Sequence, residues 1–194
     1  MTGQGFSIFE TAIGACGVAW SERGLIGVEL PGRRPAETAA RLKRRFPEAT
    51  QTPAPPAVRD AIEAMVALLA GEPRDLTGVD LDLQGVAAFD RSVYAMARAI
   101  PPGETLTYGQ IAGRLGDAGA ARAVGRALGA NPFPIVVPCH RVLGAEGKVG
   151  GFSAPGGIAA KARMLSIEGA RTSAAPMLFE ALPITVRTDR PSRA

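Results

Sequence analysis

Near residue 85 the spacing of apolar residues changes period, and that change restricts the chain to folds in which a sheet-bearing segment precedes a helical one. Upstream, Ile8, Ile13, Val18 and Trp20 lead through the turn Ser21-Glu22-Arg23-Gly24 into Leu25-Ile26-Gly27-Val28-Glu29-Leu30, the pattern of a β-hairpin. A helix is expected over about 35–46, a loop over the proline-rich 47–56, and a second helix over about 57–70 with Val58, Ile62, Met65, Val66 and Leu69 on one face. Gly71-Glu72-Pro73 stops that helix, and Val79-Asp80-Leu81-Asp82-Leu83 alternates as a last strand. Residues 1–84 therefore read as a small α/β support domain with no catalytic constellation, 85–172 as a second, mainly helical domain, and 173–194 as a partly disordered tail whose Leu178-Phe179-Glu180 can dock. At 194 residues and 46% hydrophobic, the chain is large enough to bury a core.

In the second segment Phe89, Val93, Met96 and Ile100 recur at helical spacing until Pro101-Pro102-Gly103. Thr107-Tyr108-Gly109-Gln110 is a capping box, in which the Thr107 hydroxyl and the Gln110 side chain satisfy free N–H groups at the start of a helix ending near Leu115. After Gly116-Asp117-Ala118-Gly119, a helix of small residues runs from Ala120 to Leu128 and is closed by Gly129. Two short helices joined by a glycine turn form a helix-turn-helix pattern. Its Ala/Gly surface allows close approach of another backbone, which is either a packed helix or a nucleic acid. Arg122 and Arg126, one helical turn apart, suit the nucleic acid; a solvated charged face is the competing reading. The prolines of Asn131-Pro132-Phe133-Pro134 impose an extended connector. Glycines from Gly144 to Gly157 surround Val149-Gly150-Gly151-Phe152-Ser153, read as a hairpin or wing that brings backbone amides to a ligand, before a last helix from about Ile158 to Glu168.

Charge is divided along the chain. Residues 1–84 hold nine Lys/Arg against eleven Asp/Glu, whereas 85–172 hold ten against five, so the helical segment is the cationic one and suits a polyanionic partner. No stretch approaches the ~18–20 uninterrupted apolar residues of a membrane span, and Met1-Thr2-Gly3-Gln4-Gly5 lacks the regions of a signal peptide, so a cytoplasmic protein with no membrane partner is expected. Cys16 and Cys139 suggest no disulfide framework, and two cysteines with one histidine fall short of a four-ligand zinc site, so no metal is expected.

That single histidine is His140, adjacent to Cys139 in Pro138-Cys139-His140-Arg141. Free cysteine is only a few per cent thiolate at neutral pH, with a pKa of ~8.5, and a nearby imidazole is a common means of raising that fraction. Neighbouring side chains diverge on a strand, and by about 100° on a helix, so contact between this pair needs a bridging water or a sharp turn. The imidazole also needs an acceptor on its second nitrogen. Glu168 is the candidate, because a carboxylate in the last turn of a helix opposes the macrodipole unless it has a partner; a solvated surface glutamate is the alternative.

The run Asn131-Pro132-Phe133-Pro134-Ile135-Val136-Val137-Pro138-Cys139-His140-Arg141-Val142 resembles the active-site signature of the O6-alkylguanine-DNA alkyltransferases, the methylated-DNA–protein-cysteine methyltransferases. The likeness extends upstream through Ile100-Pro101-Pro102-Gly103-Glu104-Thr105, Thr107-Tyr108 and Ala121-Arg122-Ala123-Val124-Gly125, and downstream through Gly156-Gly157, Lys161 and Glu168-Gly169. It covers about residues 86–170. It implies a ribonuclease-H-like α/β first domain and a helix-turn-helix or winged-helix-like catalytic domain. It implies single-turnover repair of O6-alkylguanine, and of O4-alkylthymine, in double-stranded DNA by a monomer that enters the minor groove and flips the base, without a cofactor. Cys139 would be the alkyl acceptor, His140 a water-mediated base, Glu168 its orienter and Tyr108 a proton donor to guanine. Arg122 would fill the place of the flipped nucleotide, with Ala121, Gly125 and Arg126 on the same DNA-facing helix. Asn131 would tie that helix to the active-site run, Arg141 would brace the two domains, and groups around Val142, Phe152 and Ser153 would hold the base. The chain departs from the family pattern at Phe152-Ser153-Ala154-Pro155, two residues longer and lacking a phenol, and at Asp90, where the family has glutamine. Two rivals remain at the level of sequence: a non-catalytic alkylated-base-binding module that recruits other repair factors, and a cysteine hydrolase.

Overall fold

Strand β2 (Cys16–Ser21) organises the first half, because alternation sends Cys16, Val18 and Trp20 to one face and Gly17 and Ala19 to the other. The computed structural model describes residues 3–170, and the expectations for the tail at 173–194, including docking of Leu178-Phe179-Glu180, lie outside the described residues. β2 pairs antiparallel with β1 (Gly5–Phe9) and with β3 (Gly24–Glu29), which gives the expected hairpin. Helix α1 (Pro35–Arg45) starts on a proline, ends on Lys43, Arg44 and Arg45, and packs Leu42 against Phe6, Ala19 and Ala49. A Cβ on Gly17 would lie 2.5 Å from Leu42 Cδ1, so glycine sets how closely α1 approaches the sheet.

The proline-rich loop is not structureless. Between Pro47 and Pro53 the free N–H groups of Thr50 and Thr52 reach Gln4 and Phe6 carbonyls at 3.0 and 3.2 Å, so β4 (Thr50–Gln51) adds to β1 in parallel. The sheet is therefore small and mixed, in the order β3-β2-β1-β4. Helix α2 (Pro56–Leu69) buries Val58, Met65, Leu68 and Leu69 beside Cys16, Val18 and Trp20. Val79–Leu83 does not form the expected strand. It makes one parallel bridge, Leu81 to Leu25, with the Asp82 carboxylate taken by Ser21 and Arg23 rather than standing on a pleat.

The second half is mainly helical. Helix α3 (Ala88–Arg98) packs through Val93, Tyr94 and Ala97; Phe89, expected on that stripe, is 40% exposed, one turn ahead of the contact with the next helices. Strand β5 (Leu106–Thr107) leads into α4 (Tyr108–Arg114), where both bonds of the capping box form, and a short 3₁₀ turn at Ala118–Ala120 leads into α5 (Ala121–Gly129). Tyr94 Oη donates to the Ala127 carbonyl at 3.2 Å, linking α3 to α5. A 3₁₀ turn over Cys139–Arg141 leads into β6 (Val142–Leu143), which pairs in parallel with β5. That pairing fixes the start of α4 beside the cysteine turn.

The glycine-rich 144–157 segment contains no strand pair, so the expected hairpin is absent. A reversal closes from Gly144 N to Lys148 O at 2.8 Å, and Ser153 Oγ then donates to the Gly129 carbonyl at 2.9 Å, bending the chain over the end of α5 instead of along a partner strand. Helix α6 (Gly157–Ile167) completes the described chain. One cluster of buried side chains runs from Cys16, Val18 and Met65 through Val93 and Val124 to Val142 and Met164. Among the described residues no helix is long and apolar enough to cross a membrane.

Candidate active site

The connector from Asn131 to Pro138 is rigid and buried: Phe133, Ile135, Val136 and Val137 are each at most 2% exposed. Ile135 has φ of 76°, in the left-handed region that a β-branched residue rarely enters, so the backbone is strained four residues before the cysteine. Asn131 holds this run in place. Its Nδ2 donates to the Val137 carbonyl and its Oδ1 accepts from Phe133 N, both at 2.9 Å. Val28 N also donates to the Pro132 carbonyl at 2.9 Å, tying the connector to β3.

The 3₁₀ turn supplies the sharp bend that the adjacent pair requires. Cys139 lies at the surface of a slot and is 8% exposed, whereas His140 turns inward and is fully buried. His140 Nε2 lies 3.0 Å from Glu168 Oε1, and Arg141 grips the same carboxylate twice at 2.8 Å, Nε to Oε2 and Nη2 to Oε1. Burial alone would push the Glu168 pKa up, but the bonds from His140 and Arg141 outweigh it and bring the carboxyl down to about 2. An ionised carboxylate can only accept, so the network assigns the proton to His140 Nε2 and leaves Nδ1 as the basic nitrogen. Nδ1 is buried and has no hydrogen-bond partner among the described residues. Burial also depresses the imidazole's pKa, with Glu168 opposing, so His140 is neutral at neutral pH and able to take a proton.

Burial raises the Cys139 pKa, and four influences oppose it: a hydrogen bond from Asn131, the charge of Lys161, and the backbone N–H groups of Cys139 and His140. The slot in front of the sulfur has a volume of ≈ 350 Å³ and is lined by Tyr108, Gly125, Leu128, Gly129, Cys139 and the Gly151–Ser153 strand of loop. Its walls are the start of α4, one face of α5 and that loop. Alongside it, a groove of ≈ 560 Å³ is lined by Tyr108, Ala121, Arg122, Gly125 and Arg126, and both arginines are exposed. A larger cavity of ≈ 760 Å³ near Trp20 and Asp80 includes no cysteine or histidine, so size does not single out the cysteine slot.

The structure thus brings Cys139, His140, Glu168, Tyr108, Asn131, Gly125, Phe152 and Ser153 together, with Arg122, Arg126 and Ala121 on the adjoining groove. Val142 does not line the slot. It is fully buried, its N–H is bonded to the Cys139 carbonyl and its own carbonyl to Lys161 Nζ at 2.5 Å. Arg141 does not brace the two halves by hydrogen bonds, since its third contact is the Ile100 carbonyl at 2.5 Å, at the end of α3. Hydrogen bonds between the halves come instead from Arg98, whose Nη2 donates to the carbonyls of Leu76, Thr77 and Val79 at 2.7–2.9 Å, from Arg163 to the Ala12 carbonyl, and from Val28 N to the Pro132 carbonyl. Lys161 carried no role in the sequence reading, although its phase with Met164 and Leu165 on α6 was a usable signal. Among the described residues no group of three or more His, Cys, Asp or Glu is placed to hold a metal ion.

Comparison with known proteins settles the relationship. Residues 88–170 match the family described as "6-O-methylguanine DNA methyltransferase, DNA binding domain". The methylated-DNA–protein-cysteine methyltransferase of Mycolicibacterium paratuberculosis is 42% identical over 154 residues, covering 78% of this chain and 91% of that protein. The chain belongs to the methylated-DNA–protein-cysteine methyltransferase family. The Mycobacterium tuberculosis O6-methylguanine methyltransferase matches the fold with a TM-score of 0.69 at 35% identity, over 91% of this chain and 99% of the other. The M. tuberculosis OGT structure in complex with DNA matches with a TM-score of 0.68 at 36% identity, over 87% and 95%. The likeness to methyltransferases of this family therefore extends across the sheet half, where the sequence motifs are sparse.

Proposed function

We propose that the protein repairs DNA by direct reversal, transferring the alkyl group of O6-alkylguanine, and of O4-alkylthymine, to Cys139 in a single irreversible turnover. The observation that carries this reading is the sulfur of Cys139 opening on a base-sized slot with the chain His140–Glu168–Arg141 behind it. A water between His140 Nδ1 and Sγ would take the thiol proton to the imidazole, and Glu168 would stabilise the resulting imidazolium. The thiolate attacks the alkyl carbon in line with the C–O6 bond while the Tyr108 phenol protonates the departing guanine. General acid and base contributions of this kind are typically worth about 10²–10⁴-fold each. The alkylated DNA is itself the donor, and the thioether is chemically inert to a second turnover.

Access to the slot supports base flipping. Arg122 and Arg126 project from α5 beside the slot, and α4 and α5 form a helix-turn-helix pair with α5 as the element entering the minor groove. Ala121 and Gly125 keep that face shallow, Arg122 fills the vacated place, and Phe152 and Ser153 cover the base. The boundary between residues 1–84 and 85–172 rests on the period change near residue 85, and the ribonuclease-H-like and winged-helix-like character of the two domains is what the family resemblance implies. A cytoplasmic monomer fits a one-use reagent, and among the described residues no helix is long and apolar enough to cross a membrane.

A lesion-binding module without chemistry would have no use for a nucleophile in the slot. Intact-mass analysis after incubation with an O6-methylguanine duplex tests the reading. One added methyl on the Cys139 peptide supports it; tight binding without an adduct would overturn it in favour of the module.

A further inference from the structure

Two cations are buried among the described residues, and their compensation differs. Arg141 is paired with Glu168; Lys161, fully buried on α6, forms no salt bridge among the described residues. Its Nζ donates to the Val142 carbonyl at 2.5 Å and lies 5.7 Å from the centroid of the Tyr108 ring. An ammonium withdrawn from water costs several kcal/mol unless something offsets the loss, and one carbonyl with one neutral ring is incomplete compensation. Once ionised, Cys139 couples favourably to this ammonium, and its sulfur shares the slot with the Tyr108 ring. Lys161 and Glu168 are seven residues apart, two helical turns, so α6 presents both to the active site from one face.

We propose that Lys161 is a positioning residue for the transfer step: its buried ammonium anchors the Val142 carbonyl and, from beside the Tyr108 ring, stabilises the phenolate left when Tyr108 protonates the departing guanine. The inference rests on the proposed alkyl transfer and on Tyr108 as the proton donor. In that step the Sγ–C bond forms and the C–O6 bond breaks, its electron pair passing into the guanine. The thiol proton has gone to His140, the phenol proton goes to the guanine ring, and solvent reprotonates the phenolate as His140 returns its proton. Negative charge therefore leaves sulfur and reappears on the phenolate. One cation within the ~6 Å range of cation–π attraction serves both positions without moving.

The test compares two electrophiles. Methyl transfer from an O6-methylguanine duplex needs a proton donor for the leaving base; alkylation of Cys139 by iodoacetamide needs only the thiolate. Lys161→Gln, which keeps a donor for Val142 but no charge, is expected to slow methyl transfer about 10²-fold and iodoacetamide alkylation by a smaller factor, because the latter loses only the ammonium's effect on the thiolate. Lys161→Arg restores most of the rate, and in a Tyr108→Phe background Lys161→Gln adds no more than the loss seen with iodoacetamide. Equal losses on both electrophiles, or an undiminished penalty in the Tyr108→Phe background, overturns the proposal. If Lys161→Gln does not fold, Lys161→Met takes its place in the same comparison. A wild-type protein that accepts no methyl group sinks the proposed function itself; a methylated wild type with the wrong variant pattern sinks only the role of Lys161.

Discussion

The two cysteines are both buried, yet they occupy chemically opposite surroundings. Cys16 lies in β2, fully enclosed, with the Thr11 hydroxyl 3.7 Å away as its polar neighbour, and burial pushes its pKa up to about 12. Cys139 is also pushed up by burial, but Asn131, Lys161 and two backbone N–H groups work against that, and its sulfur opens on a slot. Burial by itself makes a thiol inert. A nucleophile requires burial combined with groups that favour the anion and a path for the electrophile.

The largest expected effect breaks that comparison most directly. Cys139→Ala should abolish methyl transfer while retaining DNA binding, and Cys16→Ala should transfer at the wild-type rate. Both are read as methyl incorporated per chain, and loss of transfer in a folded Cys16→Ala protein would refute the assignment. Next, His140→Ala should slow transfer by about 10²–10⁴-fold, with Glu168 still paired to Arg141 and the fold retained. The same variant checks a pH effect. The His140 pKa is lowered in the fold from 6.5, so the unfolded chain binds the extra proton first; the resulting stability is present above pH 6.5 and is lost as pH falls below it. Thermal melts between neutral and acidic pH should therefore flatten in His140→Ala, and an unchanged acid limb would exclude a neutral buried imidazole.

These residues also mark how far the sequence could be read. Helices with local signals were legible: the Thr107–Gln110 capping box formed as expected, and α1 and α2 fall within one residue of the expected spans 35–46 and 57–70. The site's Cys139, His140 and Glu168 were legible through their motif and the helix-end argument. The rest is non-local. Strands β5 and β6 have two residues each and no period to detect, yet their pairing sets Tyr108 beside the cysteine turn. Val79–Leu83 alternated like a strand, but its Asp82 is committed to Ser21 and Arg23. Lys161 and the carboxylate grip of Arg141 were hidden because the burial of a cation depends on partners distant in sequence.

Arg122 sharpens the comparison between reaction at sulfur and delivery of the base. Arg122→Ala should weaken repair of duplex by roughly ten- to a hundredfold, about 1–3 kcal/mol, while reaction with free alkylguanine base changes little. Side-by-side rate constants on the two substrates decide it, because equal losses would place the effect in the slot rather than in the groove.

The smallest effect belongs to Cys16, and it concerns stability at alkaline pH. Its thiol has a pKa raised from 9.0 to about 12 by burial, so the folded chain keeps a proton that the unfolded chain releases. The stability tied to that proton is complete below pH 9.0 and is lost progressively as pH rises towards about 12. Cys16→Ala removes this thiol and a small buried volume together. Near neutral pH it should cost about 1 kcal/mol from lost packing, and above pH 9 the deficit should shrink, because the variant has one ionising thiol fewer. Denaturant titrations at neutral and alkaline pH measure both quantities. A deficit that stays constant would mean that the Cys16 thiol ionises alike in the folded and unfolded chains, and the contrast between an inert and an activated cysteine would then rest on access alone.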